Sequence, residues 1–193
     1  MARLVVVGAG GHSRSVLEVA KSLGFEYIRQ VKFPENPSEL IPDLASDEVY
    51  VIAVADAAVR EILAHRLANL GAKAATLISP FALVASDAKI GPGCVVMPGA
   101  VIRCGASFGN HTIVNTGASI DHDSSVGEFC HIAPGAVICG GASIQDHVWI
   151  GASATVLDSI SVVSGAYIGA ASLVNRAITV ASIFTGIPAR RRK

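Results

Sequence analysis

Charged residues make up only 16% of this 193-residue chain, and they cancel, 15 Lys and Arg against 15 Asp and Glu. A neutral chain has no electrostatic grip on a phosphate backbone, so nucleic acid is excluded as a partner. Aromatic residues are scarcer still at 5%, too few to fill an ordinary mixed core, although the 51% hydrophobic content supports a sizeable interior. No apolar run approaches the roughly 18 residues of a membrane span. The most apolar segment, from Val49 to Val59, is broken by Asp56. The run from Leu4 to Val7 is too short for a signal-peptide core, and the expected location is the cytoplasm. The four cysteines form no CxxC pair, which fits reduced thiols rather than a disulfide frame or a zinc ribbon.

What the chain does have is a period. Stepping by six from Ile78 meets Val84, Ile90, Val96, Ile102, Phe108, Val114, Ile120 and so on to Val174 and Val180, eighteen aliphatic or aromatic positions without a miss. Four residues after most of them stands a small residue, among them Ala82, Cys94, Ala100, Thr112, Ala118, Ser124, Cys130 and Ala136. A six-residue period fits neither an amphipathic helix nor a two-sided strand. It fits a short strand and a turn, with one large and one small residue pointing inward, three such units closing one triangular coil. Eighteen units make about six coils, a prism on the order of 30 Å long at the strand spacing of a sheet. Pro92-Gly93, Pro98-Gly99 and Pro134-Gly135 fall between inward positions, where corners need fixed or permissive backbone angles.

The amino-terminal part, up to Ala75, reads differently. Arg3 to Val7 is a short strand ending in Gly8-Ala9-Gly10-Gly11-His12-Ser13, and a helical pattern follows from Ser15 to Leu23. Strand, glycine turn and helix open a Rossmann-like βαβ unit whose amides approach a phosphate. Ser13 stands where a dinucleotide fingerprint has its third glycine, which argues against an NAD site. Tyr27 to Phe33 reads as a second strand, Pro34 to Asp47 as a loop, Glu48 to Val54 as a buried third strand. Ala57 to Leu70 reads as a helix with Val59, Ile62, Leu63, Leu67 and Leu70 on one face. The reading is two domains, residues 1–75 and 76–193, with the α/β unit on the base of the prism.

The glycine turn, the hexapeptide domain, the segment Asn115-Thr116-Gly117-Ala118-Ser119-Ile120-Asp121-His122-Asp123, the segment Gly127-Glu128-Phe129-Cys130-His131 and the terminal Gly186-Ile187-Pro188-Ala189-Arg190 together resemble the NeuD/PglD group of sugar acetyltransferases. That resemblance implies a left-handed parallel β-helix and a homotrimer. It also implies acetyl transfer from acetyl-CoA to a nucleotide-linked amino sugar, UDP-linked in the first instance, with O-acetylation of a sialic-acid-like sugar as the alternative. Gly10, Gly11 and His12 match its sugar-nucleotide loop, and Ala55 with Asp56 matches a turn over the same ligand. His131 has a counterpart that contacts acetyl-CoA. Ala152 and Ala170 lie where the backbone touches the coenzyme, the second replacing a glycine. The paired acids that relatives carry after the second strand are missing around Phe33 to Asn36, where Glu35 stands alone.

Acetyl transfer needs a base for the attacking group, and histidine suits neutral pH. His122 is the second residue after the inward Ile120, hence outward, with Asp121 and Asp123 beside it; the resemblance makes Asp123 the orienting acid. His131 is half a coil further on, so the two histidines stand on opposite sides of one prism, on the order of 15 Å apart. A single site using both needs a neighbouring subunit, and threefold closure supplies one at each interface. His65, His111 and His147 read as structural. The basic end, Arg190 to Lys193, either meets CoA phosphates or is a solvated tail. The other class of reading is a non-catalytic or metal-binding β-helix. Metal chemistry would want three converging histidines, which the spacing does not provide, and no metal is expected.

Overall fold

The computed structural model describes residues 3–32 and 44–192. Strand β1 (Arg3–Val7) lies between β2 (Ile28–Val31) and β3 (Glu48–Ile52), and β4 (Lys73–Ala74) extends the sheet beyond β3, all parallel. Helices α1 (Gly11–Ser22) and α2 (Ala57–Asn69) connect them. Helix α1 starts earlier than its apolar pattern, because Gly11 is already helical and the Ser13 hydroxyl donates to the Gly10 carbonyl at 2.7 Å. Strand β2 begins at Ile28, one residue after the expected Tyr27. The segment read as a loop after it lies largely outside the described residues, as does the stretch Phe33 to Asn36, which carries the single acid Glu35 and no acidic pair. Strand β3 ends at Ile52, short of the expected Val54.

From Leu77 the chain winds as a three-sided parallel β-solenoid of about six turns. Each rung is a two-residue strand paired with its equivalent one coil on, as Ile113 with His131 and Ile120 with Ile138. The first face runs in six rungs from Leu77–Ile78 to Tyr167–Ile168, the second in six from Leu83–Val84 to Leu173–Val174, and the third in five from Lys89–Ile90 to Ser161–Val162. The inward residues, Val96, Ile102, Ile120, Ile132 and their equivalents, form one continuous core with the small residues between them. Several polar small residues donate to a carbonyl on the next coil: Thr112 Oγ1 to Gly127 at 2.7 Å, Ser124 Oγ to Cys139 at 2.9 Å, Cys94 Sγ to Gly109 at 3.0 Å. Burial pushes the Cys94 and Cys130 thiols up to about 12, so these cysteines are packing residues rather than nucleophiles.

The last coil breaks the period. Val162 bridges Ile178, and Ile168 pairs with Phe184, where an unbroken repeat would have offered Val180 and Gly186. Ile178 therefore fills the inward place, 5% exposed, while Val180 is 46% exposed. The corner through Asn175, Arg176 and Ala177 is shorter than a full hexad by two positions, so Val180 falls in the bend after the inward residue instead of on it.

The α/β unit does not sit on the prism's base; it covers the first face. Outward residues there are Leu77, Val95 and Ile113, all nearly inaccessible, and Leu77, Val95 and Met97 share a core with Leu4, Val6, Val16, Val19 and Val51. The corresponding outward rows elsewhere are Lys89, Ser107 and Ser125 on the third face and Leu83, Val101 and Ser119 on the second. An aliphatic row on a solvent face must be covered to gain its burial energy, and the unit lies where that row is longest.

Helix α2 also departs from its sequence reading. Ile62 and Leu70 are exposed, and the buried side is Arg60, Leu63, Ala64 and Leu67. Arg60 is 1% exposed and donates to five carbonyls. Two belong to its own unit, Val54 at 2.9 Å and Ala55 at 2.9 Å. Three belong to solenoid corners, His111 at 2.8 Å, Phe129 at 2.6 Å and Cys130 at 3.1 Å. Burial lowers its pKa to about 10, which leaves it charged at neutral pH.

Candidate active site

His122 and Asp123 stand at the corner between the second and third faces, after Ile120 has turned inward. His122 Nδ1 lies 3.0 Å from Asp123 Oδ2, so Nδ1–H donates to the carboxylate and Nε2 is left free to accept a proton. Asp121 holds the backbone, its Oδ1 accepting the His122 amide at 2.7 Å. The hydrogen bond to Asp123, then the charge of Asp121, raise the His122 pKa above its ordinary value. Asp123 has φ 59°, the left-handed conformation that side chains seldom adopt. Residues one coil before and after it, Gly105 and Gly141, are glycines with φ 71° and 65°. Ser159, one coil beyond Gly141, shares the conformation at φ 58°, and aspartate is among the side chains that tolerate it.

Two glycines that the sequence reading did not single out shape this corner. A Cβ on Gly140 would come 2.7 Å from both Cε1 and Nε2 of His122, and one on Gly105 would come 2.5 Å from Asp123 Oδ1. The ring thus lies flat over Gly140, one coil on, and the carboxylate rests on Gly105, one coil back. Their signal was present in the sequence as the one-coil spacing from His122 and from Asp123.

The expected substrate loop forms a cleft of about 460 Å³ lined by Gly8, Ala9, Gly10, Gly11, His12, Lys32, Ala53, Val54 and Ala55. It sits over the amino terminus of α1, whose free amides and dipole favour an anion. Lys32, just after β2, adds a cation that the motif reading missed. Asp56 does not line this cleft: it caps α2, its Oδ1 accepting the Val59 amide at 2.9 Å.

His131 lies on the first face beside this cleft rather than near His122. It is 5% exposed, with its ring centroid 6.1 Å from His12 and 4.2 Å from Trp149. Its Nε2 is 3.1 Å from Asn115 Nδ2, so the amide donates, and the proton resides on Nδ1, which is buried without a hydrogen-bond partner. Burial, with smaller contributions from His12 and Arg60, pushes its pKa down to about 3. Burial and then Arg60 push His12 to about 4. Both rings are neutral at pH 7. Ala152 and Ala170 stack on successive coils at the corner between the first and second faces, both exposed, with the Ala171 amide donating to the Ala152 carbonyl at 2.8 Å.

His111, Phe129 and His147 stack at the corner between the third and first faces at 5.4 Å intervals, with Tyr50 against His111 at 6.1 Å. Through Tyr50 that column packs the solenoid corner against the α/β unit. Among the described residues no group of three or more His, Cys, Asp or Glu has an arrangement that could hold a metal ion, and no helix is long and apolar enough to cross a membrane.

A family model described as the PglD N-terminal domain matches residues 3–67. The chain is 32% identical to the acetyltransferase domain of PglB from Neisseria gonorrhoeae FA1090, with 100% of each chain covered and a TM-score of 0.92. That domain has also been solved in complex with acetyl coenzyme A, and there 98% of each chain is covered at 32% identity and TM-score 0.90. A mutant GDP-perosamine N-acetyltransferase from Caulobacter crescentus, solved with CoA and GDP-perosamine, shares 26% identity over 100% of this chain and 98% of that one, with TM-score 0.91. Comparison with curated proteins gives no match.

The hexapeptide solenoid, together with these relatives, places the chain among the acyltransferases of the β-helix class. Within that class the chain belongs to the PglD-like sugar acetyltransferases.

Proposed function

We propose that the protein transfers the acetyl group of acetyl-CoA to the amine of a nucleotide-diphosphate amino sugar, UDP-linked sugars being the first candidates, with His122 as general base and Asp123 as its orienter. The observation that carries this reading is the 3.0 Å His122–Asp123 pair held over Gly140 and Gly105. Support comes from the relative solved with acetyl coenzyme A and from the N-acetyltransferase solved with CoA and GDP-perosamine.

The acceptor enters as an ammonium and loses one proton to solvent. The free amine attacks the thioester carbonyl carbon, the C–S bond breaks, and Nε2 of His122 takes the second amine proton and returns it to the departing thiolate. Amide, CoA thiol and one released proton balance the reaction. Cradling of the diphosphate falls to the amides of Gly10, Gly11 and His12, with Ala55 on the far wall and Lys32 facing the same charge. The coenzyme lies along the corner of Ala152 and Ala170, where exposed backbone suits the amide-rich pantetheine arm.

His122 and the cleft beside His131 are on opposite sides of the prism, so one protomer does not close this site. A homotrimer with His122 of one subunit facing the His131 side of the next completes it. In that arrangement His131, buried and neutral, acts as a wall between Asn115 and the Ala55 turn beside the coenzyme. CoA release assayed over a panel of UDP-, GDP- and CMP-linked sugars bearing a free amine or only hydroxyls tests the reading. Turnover confined to hydroxyl acceptors would replace it by O-acetylation, and no turnover with any of them would remove it.

A further inference from the structure

His122, Gly140 and Asp158 succeed one another at one residue per coil, in a single column at the corner between the second and third faces. Hydrogen bonds link the column, Gly141 N to the His122 carbonyl at 2.9 Å and Ser159 N to the Gly140 carbonyl at 2.9 Å. The His122 ring leans along this column. Its Nδ1 edge is turned to Asp123, and its Cε1–Nε2 edge overlies Gly140. Gly140 has no side chain to stand between that edge and the coil beyond, and the residue on that coil is Asp158.

Asp158 is exposed and, among the described residues, has no ion pair and no hydrogen bond for its carboxylate. The other carboxylates of this corner are occupied, Asp123 by the ring and Asp121 by the His122 amide. Asp158 is nevertheless close enough for its charge to raise the pKa of both His122 and the half-buried Cys139. An unoccupied carboxylate on the proton-accepting side of a general base stands where the nucleophile must arrive.

We propose that Asp158 is the residue that selects an amine over a hydroxyl acceptor, receiving an N–H of the incoming ammonium and holding the nitrogen against His122 Nε2. This rests on the acetyltransferase reading above and deepens it. A carboxylate gains a charge-assisted hydrogen bond from an ammonium and only a neutral one from a hydroxyl. After the ammonium has lost one proton, the remaining contact aims the lone pair away from Asp158 and towards the thioester carbonyl. No atom is transferred to Asp158: the proton removed in the transfer step goes to His122 and on to the thiolate.

The test compares wild type, Asp158→Asn and Asp158→Glu with a matched pair of nucleotide sugars that differ only in an amine or a hydroxyl at the reacting carbon. Asp158→Asn should lower kcat/KM for the amine about 10- to 100-fold, the range of hydrogen bonds to charged groups. Most of the loss should fall on the acceptor KM, with the KM for acetyl-CoA unchanged and the hydroxyl acceptor affected by less than about threefold. Asp158→Glu should restore much of the amine activity. Equal losses on both acceptors, or an amine-to-hydroxyl preference that stays at the wild-type value, overturns the proposal. A wild-type enzyme inactive on both members of the pair would instead strike at the acetyltransferase reading itself.

Discussion

Arg60 Nη2 donates to the Phe129 carbonyl at 2.6 Å, joining the second helix of the α/β unit to a solenoid corner. Phe129 has φ 54° and His111, one coil back, also has φ 54°. These corners turn their carbonyls out of the solenoid ladder and towards the helix, where one guanidinium satisfies them together. A planar fork with five donors suits this arrangement, and a lysine has neither the geometry nor the number of donors.

Arg60→Met should therefore cost about 3 kcal/mol or more, because it leaves several buried carbonyls without donors, and Arg60→Lys should recover little of it. The urea midpoint of each variant measures this, with the slope unchanged if unfolding remains one transition. A loss below about 1 kcal/mol for Arg60→Met, the worth of one ordinary hydrogen bond, would mean that water replaces the guanidinium at the joint.

The same joint carries three histidines that burial holds neutral, His12 and His111 at about 4 and His131 at about 3. They face Arg60, Tyr50, Phe129, Asn115 and Trp149 from both units. The ion pairs that histidines make among the described residues belong to His65, His122 and His147 instead. The folded pKa values lie below the unfolded value near 6.5, so between those limits the unfolded chain binds more protons. Stability is then full above about pH 6.5 and falls as the pH drops towards about 4, by about 1.4 kcal/mol per pH unit for each group. Urea midpoints measured from neutral to mildly acid pH should fall, and His131→Gln should flatten the slope.

Much of this architecture was legible because a strict period leaves few alternatives. Ile120, Ile138 and Val156 point inward for the reason their spacing gave, and the outward register of His122 followed from Ile120 by counting. The break at the last coil was hidden, since Ile178 and Val180 are equally aliphatic and only the short corner at Asn175 decides between them. Arg60 was hidden for another reason. Apolar spacing treats an arginine on a helix as solvent-facing, and the carbonyls that receive it exist only once the corners have formed. Covering of the first face could have been read from the row Leu77, Val95 and Ile113, but that row becomes visible only when residues are aligned by coil rather than by hexad.

Replacing His122 by Ala should lower kcat by roughly 10² to 10⁴, the range of a positioned general base, with the urea midpoint unmoved because the side chain is exposed. The raised His122 pKa places the acid limb of kcat/KM above the ordinary histidine range, since the neutral ring is the active form. Asp123→Asn removes the largest cause of that shift, so its acid limb should move to lower pH, while kcat falls less than in His122→Ala. An unmoved limb would assign the titration to another group.

Gly140→Ala separates activity from stability. The backbone at Gly140 is not in the left-handed region, so alanine brings no strain of its own, and the nearest atoms to the added methyl belong to the end of the His122 side chain. The ring is displaced from over the next coil, and an ångström of misplacement at a reacting group costs about 10²-fold. We expect kcat to fall about 10- to 100-fold. The melting temperature should stay within about 2 °C of wild type, less than the shift that 1 kcal/mol would bring. Gly141→Ala, one residue on but at φ 65°, should show the reverse, a loss of stability with less effect on kcat.

The shared site is tested by mixing subunits. His122→Ala removes the base from one side of every interface, and bulky replacement at the glycine cleft, Gly11→Trp, blocks acceptor binding on the other. Each homo-oligomer should be nearly inactive. After exchange under mild denaturant, a trimer that contains both variants has at least one interface at which an intact His122 faces an intact Gly11, so activity should return towards about a quarter of wild type for an equal mixture. A site confined to one protomer would give no such recovery, because no chain in the mixture carries both His122 and Gly11. Exchange is verified independently by mixing differently tagged copies, and sedimentation should give three chains per particle. Recovery absent despite proven exchange, or full wild-type activity in a monomer, would exclude a site built from two subunits.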